Sequence, residues 1–412
     1  MSVPAASSRL ALRRLCAIAC AVAVVALTAC TTTKAPPPAP PVPVQPPAPH
    51  QLSADQPTFF KLSNLAPDKT PVRVGLILPF SDSSASVRAL ANSMMKAAEL
   101  ALYDSGKSDI LLMAADDTGS PTDAAAAAQK LLDQGAEVII GPIFSASVGA
   151  VAPLARDRGV PVLAFSTDRS VAGNGVYLLS FQPQSEVKRI VAYAASQGLK
   201  NFAALIPQTP YGDIVEQSFR EAVTAAGATV GDVERFNPSA GMIMDPAAAV
   251  SKSACDAIFI AQGGSLLRGI APVLAYDGVD NTKVKYLGTG LWYDPATSKE
   301  PLLSGGWFAA PQPSAKDAFN AKYRQTFAAE PPQLASLAYD AISLVALLAP
   351  GTPYHRFTLA ALIDPNGFSG ANGIFRFRAD GSIERGLAVL GVDPGGFTVV
   401  SPAPTTFQSS GS

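Results

Sequence analysis

Histidine is almost missing from this 412-residue sequence, which has only His50, inside a proline-rich stretch, and His355. Histidine-based catalytic triads and multi-histidine metal sites therefore have almost no material to work with. Cysteine is nearly as scarce, with Cys16, Cys20, Cys30 and Cys255 the only four. Neither charge is in excess, since 31 Lys and Arg stand against 32 Asp and Glu. With no basic run and scattered aromatics, no nucleic-acid partner is expected. Phosphate-loop chemistry is also excluded, because Gly106-Lys107-Ser108 is preceded by Ala101 where such a loop needs glycine. Two Ser-x-x-Lys matches, Ser93 to Lys96 and Ser185 to Lys188, lack a downstream Lys-Thr-Gly and fall inside amphipathic helical patterns, so chance explains them. Asp116-Asp117 has no third ligand at useful spacing for a cation and reads as a solvated strand-end loop. The chain is thus expected to be non-enzymatic, with no cofactor and no metal.

What is present begins at the amino terminus. Arg13 and Arg14 precede an apolar run at 15–27, too short to span a bilayer comfortably and shaped like a secretory signal. It ends in Leu27-Thr28-Ala29-Cys30, which resembles the lipobox of bacterial lipoproteins. That resemblance implies removal of residues 1–29 and lipidation of Cys30. Thr31 stands where the inner-membrane retention signal has Asp, which points to the outer membrane, periplasmic face. Cys255 is then left alone, so no disulfide forms within one mature chain; beside an apolar strand it reads as a small buried hydrophobe. Residues 35–49 are proline-rich and favour an extended polyproline spacer of ~3.1 Å per residue, within a linker at 30–70.

With 48% hydrophobic residues, the rest of the chain can bury the cores of two domain-sized units. Apolar strands at 72–80, 110–114, 138–140 and 161–165 alternate with helical patterns at 87–105, 121–135 and from 145 onward. A second series has strands at 202–206, 229–236, 257–260 and 285–289, with helices at 185–197, 214–226, 245–252 and 265–276. This alternation implies parallel, doubly wound sheets. Later come helices at 315–327 and 334–348 and a hairpin whose arms are 374–378 and 383–392. Within residues 136–168, two strands deliver small hydroxylic residues to the carboxyl edge, where open parallel sheets bind ligands and a helix amino end favours an anion. Ser145 and Ser147 are either ligand contacts there or helix caps.

The motifs VRVGLILPFS at 72–81, the run from Asp116 to Leu163, Tyr211-Gly212, SLAYDAISLVALL at 336–348 and FSGANGIFRFRADGSIERGLAVL at 368–390 occur in an order that resembles the type I periplasmic-binding-protein superfamily, specifically its leucine-binding branch. The resemblance implies an α/β fold of two doubly wound lobes joined by three crossovers, with a hinge and an interlobe cleft. Lobe 1 would comprise 71–184 and 308–350, lobe 2 would comprise 185–307 and 351–402, and 403–412 would be a disordered tail. Carried over residue by residue, the family's ligand contacts fall on Ser145, Ala146, Ser147, Ser166, Thr167, Asp168, Tyr211 and Gly264. Asp168 stands where the family usually has Thr, and the acid expected after the strand at 257–260 is absent from Gln262-Gly263-Gly264-Ser265.

The lipobox, the spacer and FSTDRSVAGNGVYLLSF at 165–181 resemble a different branch, the lipoprotein activators of penicillin-binding proteins. That branch implies a penicillin-binding-protein partner, regulation of a peptidoglycan synthase, and a lipid anchor in place of transport. The alternative is the substrate-binding receptor of an ABC importer for branched-chain or related amino acids. In either case the cleft would hold a small ligand, an amino acid or a cell-wall fragment.

Overall fold

The structure, a computed structural model, describes residues 70–239 and 242–407. The signal segment, Cys30, the proline-rich spacer and residues 408–412 lie outside the described residues. The first sheet contains β1 (Val72–Leu78), β2 (Ile110–Asp116), β3 (Val138–Ile140), β4 (Val162–Ala164) and β5 (Val176–Leu178), all parallel in the order β2-β1-β3-β4-β5. Its crossover helices are α1 (Ala85–Ser105), α2 (Pro121–Asp133) and α3 (Ser145–Asp157). The strands are short continuous apolar runs because both faces are covered. Along β1, Val74, Leu76 and Leu78 enter one core and Ile77 the other, as a period of two requires.

The second lobe starts with α4 (Pro183–Ser196), followed by β6 (Asn201–Pro207), α5 (Pro210–Ala225), β7 (Thr229–Phe236), α6 (Met244–Val250), β8 (Ala257–Ile260), α7 (Gly264–Tyr276), β9 (Lys285–Gly288) and β10 (Trp307–Ala310). The chain then returns to the first lobe. There α8 (Pro313–Phe327) and α9 (Ala335–Leu348) pack on α1, and α10 (Leu359–Leu362), β11 (Phe368–Gly370), β12 (Gly373–Phe377) and β13 (Ile383–Arg385) follow. Finally β14 (Ala388–Asp393) and β15 (Gly396–Ser401) extend the second sheet, whose order is β15-β14-β10-β9-β8-β6-β7. Alternation again divides each strand between two cores, Ile258 and Ile260 of β8 facing one and Phe259 the other.

Three expectations about the carboxyl-terminal part are corrected. Residues 351–385 belong to lobe 1, because Phe357, Leu362, Phe375 and Phe377 are buried in its core. The buried pair Arg356 and Glu137 also ties this stretch to the residue just before β3. The second hairpin arm, expected to run through 383–392, breaks at Gly386: β13 pairs with β12 in a small three-stranded sheet, whereas β14 pairs with β10 in lobe 2. A Cβ on Gly386 would lie 2.7 Å from Ile374 and 3.1 Å from the Pro404 carbonyl, so only glycine lets the chain change sheets there. The stretch 403–407 is packed, contrary to the expected disordered tail. The Ala403 amide donates to Gln312 at 3.1 Å, and the Phe407 ring lies 4.5 Å from the Arg376 guanidinium, back on lobe 1.

Candidate functional site

Strand order changes direction between β1 and β3 in the first sheet and between β6 and β8 in the second. In open parallel sheets such points are where ligands settle, outside the carboxyl ends of the strands. The loops after β1, β3 and β4 therefore form lobe 1's side of the site, and those after β6, β8 and β9 form lobe 2's side.

In lobe 1, Gly141 has φ +87° and a Cβ there would lie 2.1 Å from the Ile77 carbonyl. Glycine thus lets the chain leave β3 tightly against β1 and start α3. The cap position of α3 falls on Phe144, which makes no side-chain cap bond, so neither Ser145 nor Ser147 is the helix cap. The Ser145 hydroxyl lies near the Asp168 carboxylate and helps to favour its charged form. Asp168 accepts from the Ser170 amide at 2.9 Å, and its own amide donates to Ser166 Oγ at 3.1 Å. The bonding from Ser170, and to a lesser degree the nearby Ser145 hydroxyl, holds the Asp168 carboxyl below its ordinary range, so the charge is present at neutral pH. Ser145, Ser166 and Asp168 thus meet. Ala146 and Thr167 are exposed beside them, but Ser147 is fully buried with its hydroxyl unpaired, which takes it off the ligand-facing surface.

The Asp116-Asp117 pair is only half the solvated loop expected of it. Asp116 is exposed and bonded by Ser81 and the Thr118 amide, whereas Asp117 is fully buried. Asp117 turns inward to accept from the Gly119 amide at 3.2 Å and leaves its other oxygen unpaired. Burial, aided by the charges of Asp116 and Asp82, pushes its carboxyl up to about 6 against the Gly119 bond. Lobe 1 therefore presents an acidic edge.

In lobe 2, α5 opens with Pro210 in its first turn and Thr209 as cap, the latter accepting from the Gly212 amide at 3.1 Å. This places Tyr211, whose hydroxyl pairs with Thr289 Oγ1 at 3.0 Å just beyond β9. Burial raises the Tyr211 phenol, keeping it neutral. Gly264 starts α7 at φ +64° with open space on its Cβ side.

The same corner holds a residue that the sequence motifs missed. Glu186, in the first turn of α4, accepts from the Gly290 amide at 3.0 Å, and a Cβ on Gly290 would lie 2.9 Å from its other oxygen. Burial pushes the Glu186 carboxyl up to about 7 despite that bond. Among the described residues no cation pairs with it; its neighbours act on it through burial and the Gly290 amide alone. The expected acid after β8 is indeed missing, but lobe 2 supplies one from another element. The only signal in the sequence was an acidic residue one turn after the first crossing between lobes.

A cavity of about 770 Å³ opens between residues 168–170 of lobe 1 and helices α4 and α5, on the α4 face that carries Gln184, Lys188 and Ala192, and the Glu186, Tyr211 and Thr289 corner does not line it. Of the expected contacts only Asp168 lines it. Ser145 and Ser166 group with Asp168, and Tyr211 groups with Thr289 and Glu186, so the expected set resolves into one cluster per lobe. Among the described residues there is no group of three or more His, Cys, Asp or Glu that could hold a metal ion.

The comparisons agree with this architecture. An uncharacterized protein of Rickettsia prowazekii is 21% identical over 175 residues, and the match spans 42% of this chain and 46% of that relative's length. A crystal structure from Rhodospirillum rubrum, provisionally assigned as a branched-chain amino acid ABC transporter, superposes with a TM-score of 0.72 at 20% identity, covering 80% of this chain and all of that one. A branched-chain amino acid transporter substrate-binding protein of Streptococcus pneumoniae, solved with isoleucine, gives a TM-score of 0.56 at 21% identity over 81% of this chain and 100% of its own. At these identities the likeness establishes the fold, a type I arrangement of two lobes. The family model described as periplasmic binding protein matches residues 71–396, nearly all of the described chain, and this chain belongs to that family.

Proposed function

We propose that the chain is a non-enzymatic receptor that closes its two lobes on a small amine-bearing solute, an amino acid or a close relative, and delivers it to a membrane importer. The observation that carries this reading is Glu186: a partly buried carboxylate, desolvated by its surroundings and with no cation among the described residues to pair with, next to the Tyr211 and Thr289 hydroxyls. An ammonium group is the partner that such a carboxylate lacks, since an unpaired buried charge costs several kcal/mol, roughly, while a hydrogen-bonded pair recovers much of it. Across the cleft, α3 has no side-chain cap, which leaves the amides of its first turn for the solute's anionic end. Proteins of similar fold are named as branched-chain amino acid receptors, which supports this ligand class.

Calorimetry with leucine, isoamylamine and 4-methylpentanoate tests the proposal. Leucine and the amine should bind, the des-amino acid should bind at least tenfold more weakly, and Glu186→Gln should erase the difference. A ligand at about 100 times its Kd should also stabilise the fold by about 2.7 kcal/mol. Equal affinity for leucine and 4-methylpentanoate, or no binding of any amine across an amino-acid panel, would sink it.

A second reading rests on the amino terminus. The lipobox ending at Cys30 and the proline-rich spacer at 35–49 favour an outer-membrane lipoprotein that reaches through the wall and activates a penicillin-binding protein. Crosslinking in intact envelopes separates the two. Capture of a penicillin-binding protein together with an empty amino-acid screen favours the regulator; recovery of the acylated protein wholly in the inner membrane excludes it.

A further inference from the structure

The stretch where the chain crosses between lobes carries a second cavity of about 840 Å³, which adjoins the first and shares Arg169, Gln184, Lys188 and Ala192 with it. Its walls come from the first crossing with the start of α4 (182–189), from the crossing between β13 and β14, and from residues 402–407. Five cationic side chains line it: Arg169, Lys188, Arg189, Arg378 and Arg385. Two carboxylates share the lining, Asp380 and Glu384, and both are already engaged. Asp380 faces Arg169 at 3.5 Å, and Glu384 takes Arg378 at 2.9 Å as well as Arg376 at 2.8 Å from behind. Arg385 is held from beneath by Asp340 at 3.3 Å.

Lys188 and Arg189 are different. Arg189 donates only to neutral oxygens, Leu387 O at 2.9 Å, Ser401 Oγ at 2.7 Å and Pro402 O at 3.4 Å, and among the described residues neither side chain has a carboxylate partner. Leu387, Pro404 and Phe407 supply an apolar rim. A concave lining with surplus positive charge, partly screened from water, concentrates anions. Guanidinium groups suit carboxylate and phosphate oxygens geometrically.

We propose that this hinge cavity is a second ligand site, separate from the Glu186 corner, which binds a small multivalent oxyanion, a polycarboxylate or a polyphosphate. The ligand would touch both lobes, with Arg169 and Arg378 on one and Lys188 and Arg189 on the other.

The full chain titrated calorimetrically at low ionic strength with citrate and with pyrophosphate tests this, with acetate at matched ionic strength as the control. Saturable binding of either multivalent anion, with acetate at least tenfold weaker, is the expected result; tighter citrate assigns the site to carboxylates and tighter pyrophosphate to phosphates. Lys188→Gln combined with Arg378→Gln should weaken binding at least tenfold while leaving Tm unchanged, because both side chains are exposed. Arg189→Gln should also weaken anion binding, with some loss of Tm because its bonds to Leu387, Ser401 and Pro402 go too, and Glu186→Gln should leave anion binding unchanged. Acetate binding as tightly as citrate, affinity unchanged in the Lys188 and Arg378 variant, or loss of anion binding in Glu186→Gln would overturn the proposal.

Discussion

Asp340, beneath the hinge, is fully buried and Glu186, at the corner of the cleft, is partly buried; both carboxyls are shifted upward by desolvation, yet their surroundings differ. Asp340 is fully buried in α9 and pairs with Arg385 at 3.3 Å while accepting from the Ala371 amide. Arg385 in turn donates to the Ser180 carbonyl at 3.0 Å and lies between the Phe181 and Phe375 rings, at 4.8 and 5.4 Å. One ion pair thereby pins the first and third crossings together. Glu186 has one backbone amide and two nearby hydroxyls, and no cation among the described residues. A charge whose partner is built in fixes structure; a charge whose partner is missing is held ready for something the chain does not contain.

The sharpest way to break this comparison is to remove each acid in turn. Asp340→Ala strands the Arg385 guanidinium in the core and should cost about 3–5 kcal/mol by denaturant unfolding, as loss of one partner of a buried pair typically does. Glu186→Ala should cost far less. An equal loss at the two positions would mean that Glu186 is structural too, and the ligand argument would fail.

Acidity gives the next largest effect. The Glu186 carboxyl ionises at about 7 in the folded chain against an ordinary value of 4.5, so between those values the unfolded chain releases a proton that the folded chain keeps. Its contribution is therefore fully present below pH 4.5 and declines as pH rises, levelling off above about 7 with a total loss of roughly 3 kcal/mol. Subtracting the Glu186→Gln stability profile from that of the parent should isolate this slope. An amine ligand should show the opposite trend, weakening as pH falls below 7 and the carboxylate protonates.

The smallest expected effect sharpens the picture of the cleft corner. Tyr211→Phe deletes the 3.0 Å bond to the buried Thr289 hydroxyl and should cost about 1 kcal/mol of stability. Its effect on leucine affinity should be smaller than that of Glu186→Gln; the reverse order would move the recognition step from the carboxylate to the phenol.

Much of the architecture was legible because buried parallel strands announce themselves as short apolar runs. The strands at 138–140 and 257–260 lie where the alternation placed them, and the helix ends follow local chemistry such as Ser120 and Thr209 capping beside a proline. Ser145, Ser166 and Asp168 could be grouped beforehand because a parallel sheet brings all its carboxyl-terminal loops to one edge. The hairpin misled for a local reason: the pattern of 383–392 is continuous, and only packing shows that Gly386 passes the chain from one sheet to the other. The helix starts at Ser145 as the pattern placed it, but which of its first-turn residues face outward depends on packing, and Ser147 is buried.

Sequence alone therefore determined the alternation of strand and helix, the scarcity of histidine, and which loops lie at the strand ends, because these depend on neighbours along the chain. Tertiary structure decided which lobe 351–385 joins and which acids have partners. Asp340 meets Arg385, 45 residues away, and Glu186 meets Gly290, 104 residues away. Whether a carboxylate is paired or left waiting depends on groups the fold brings within a few ångströms, and no local pattern along the chain encodes that.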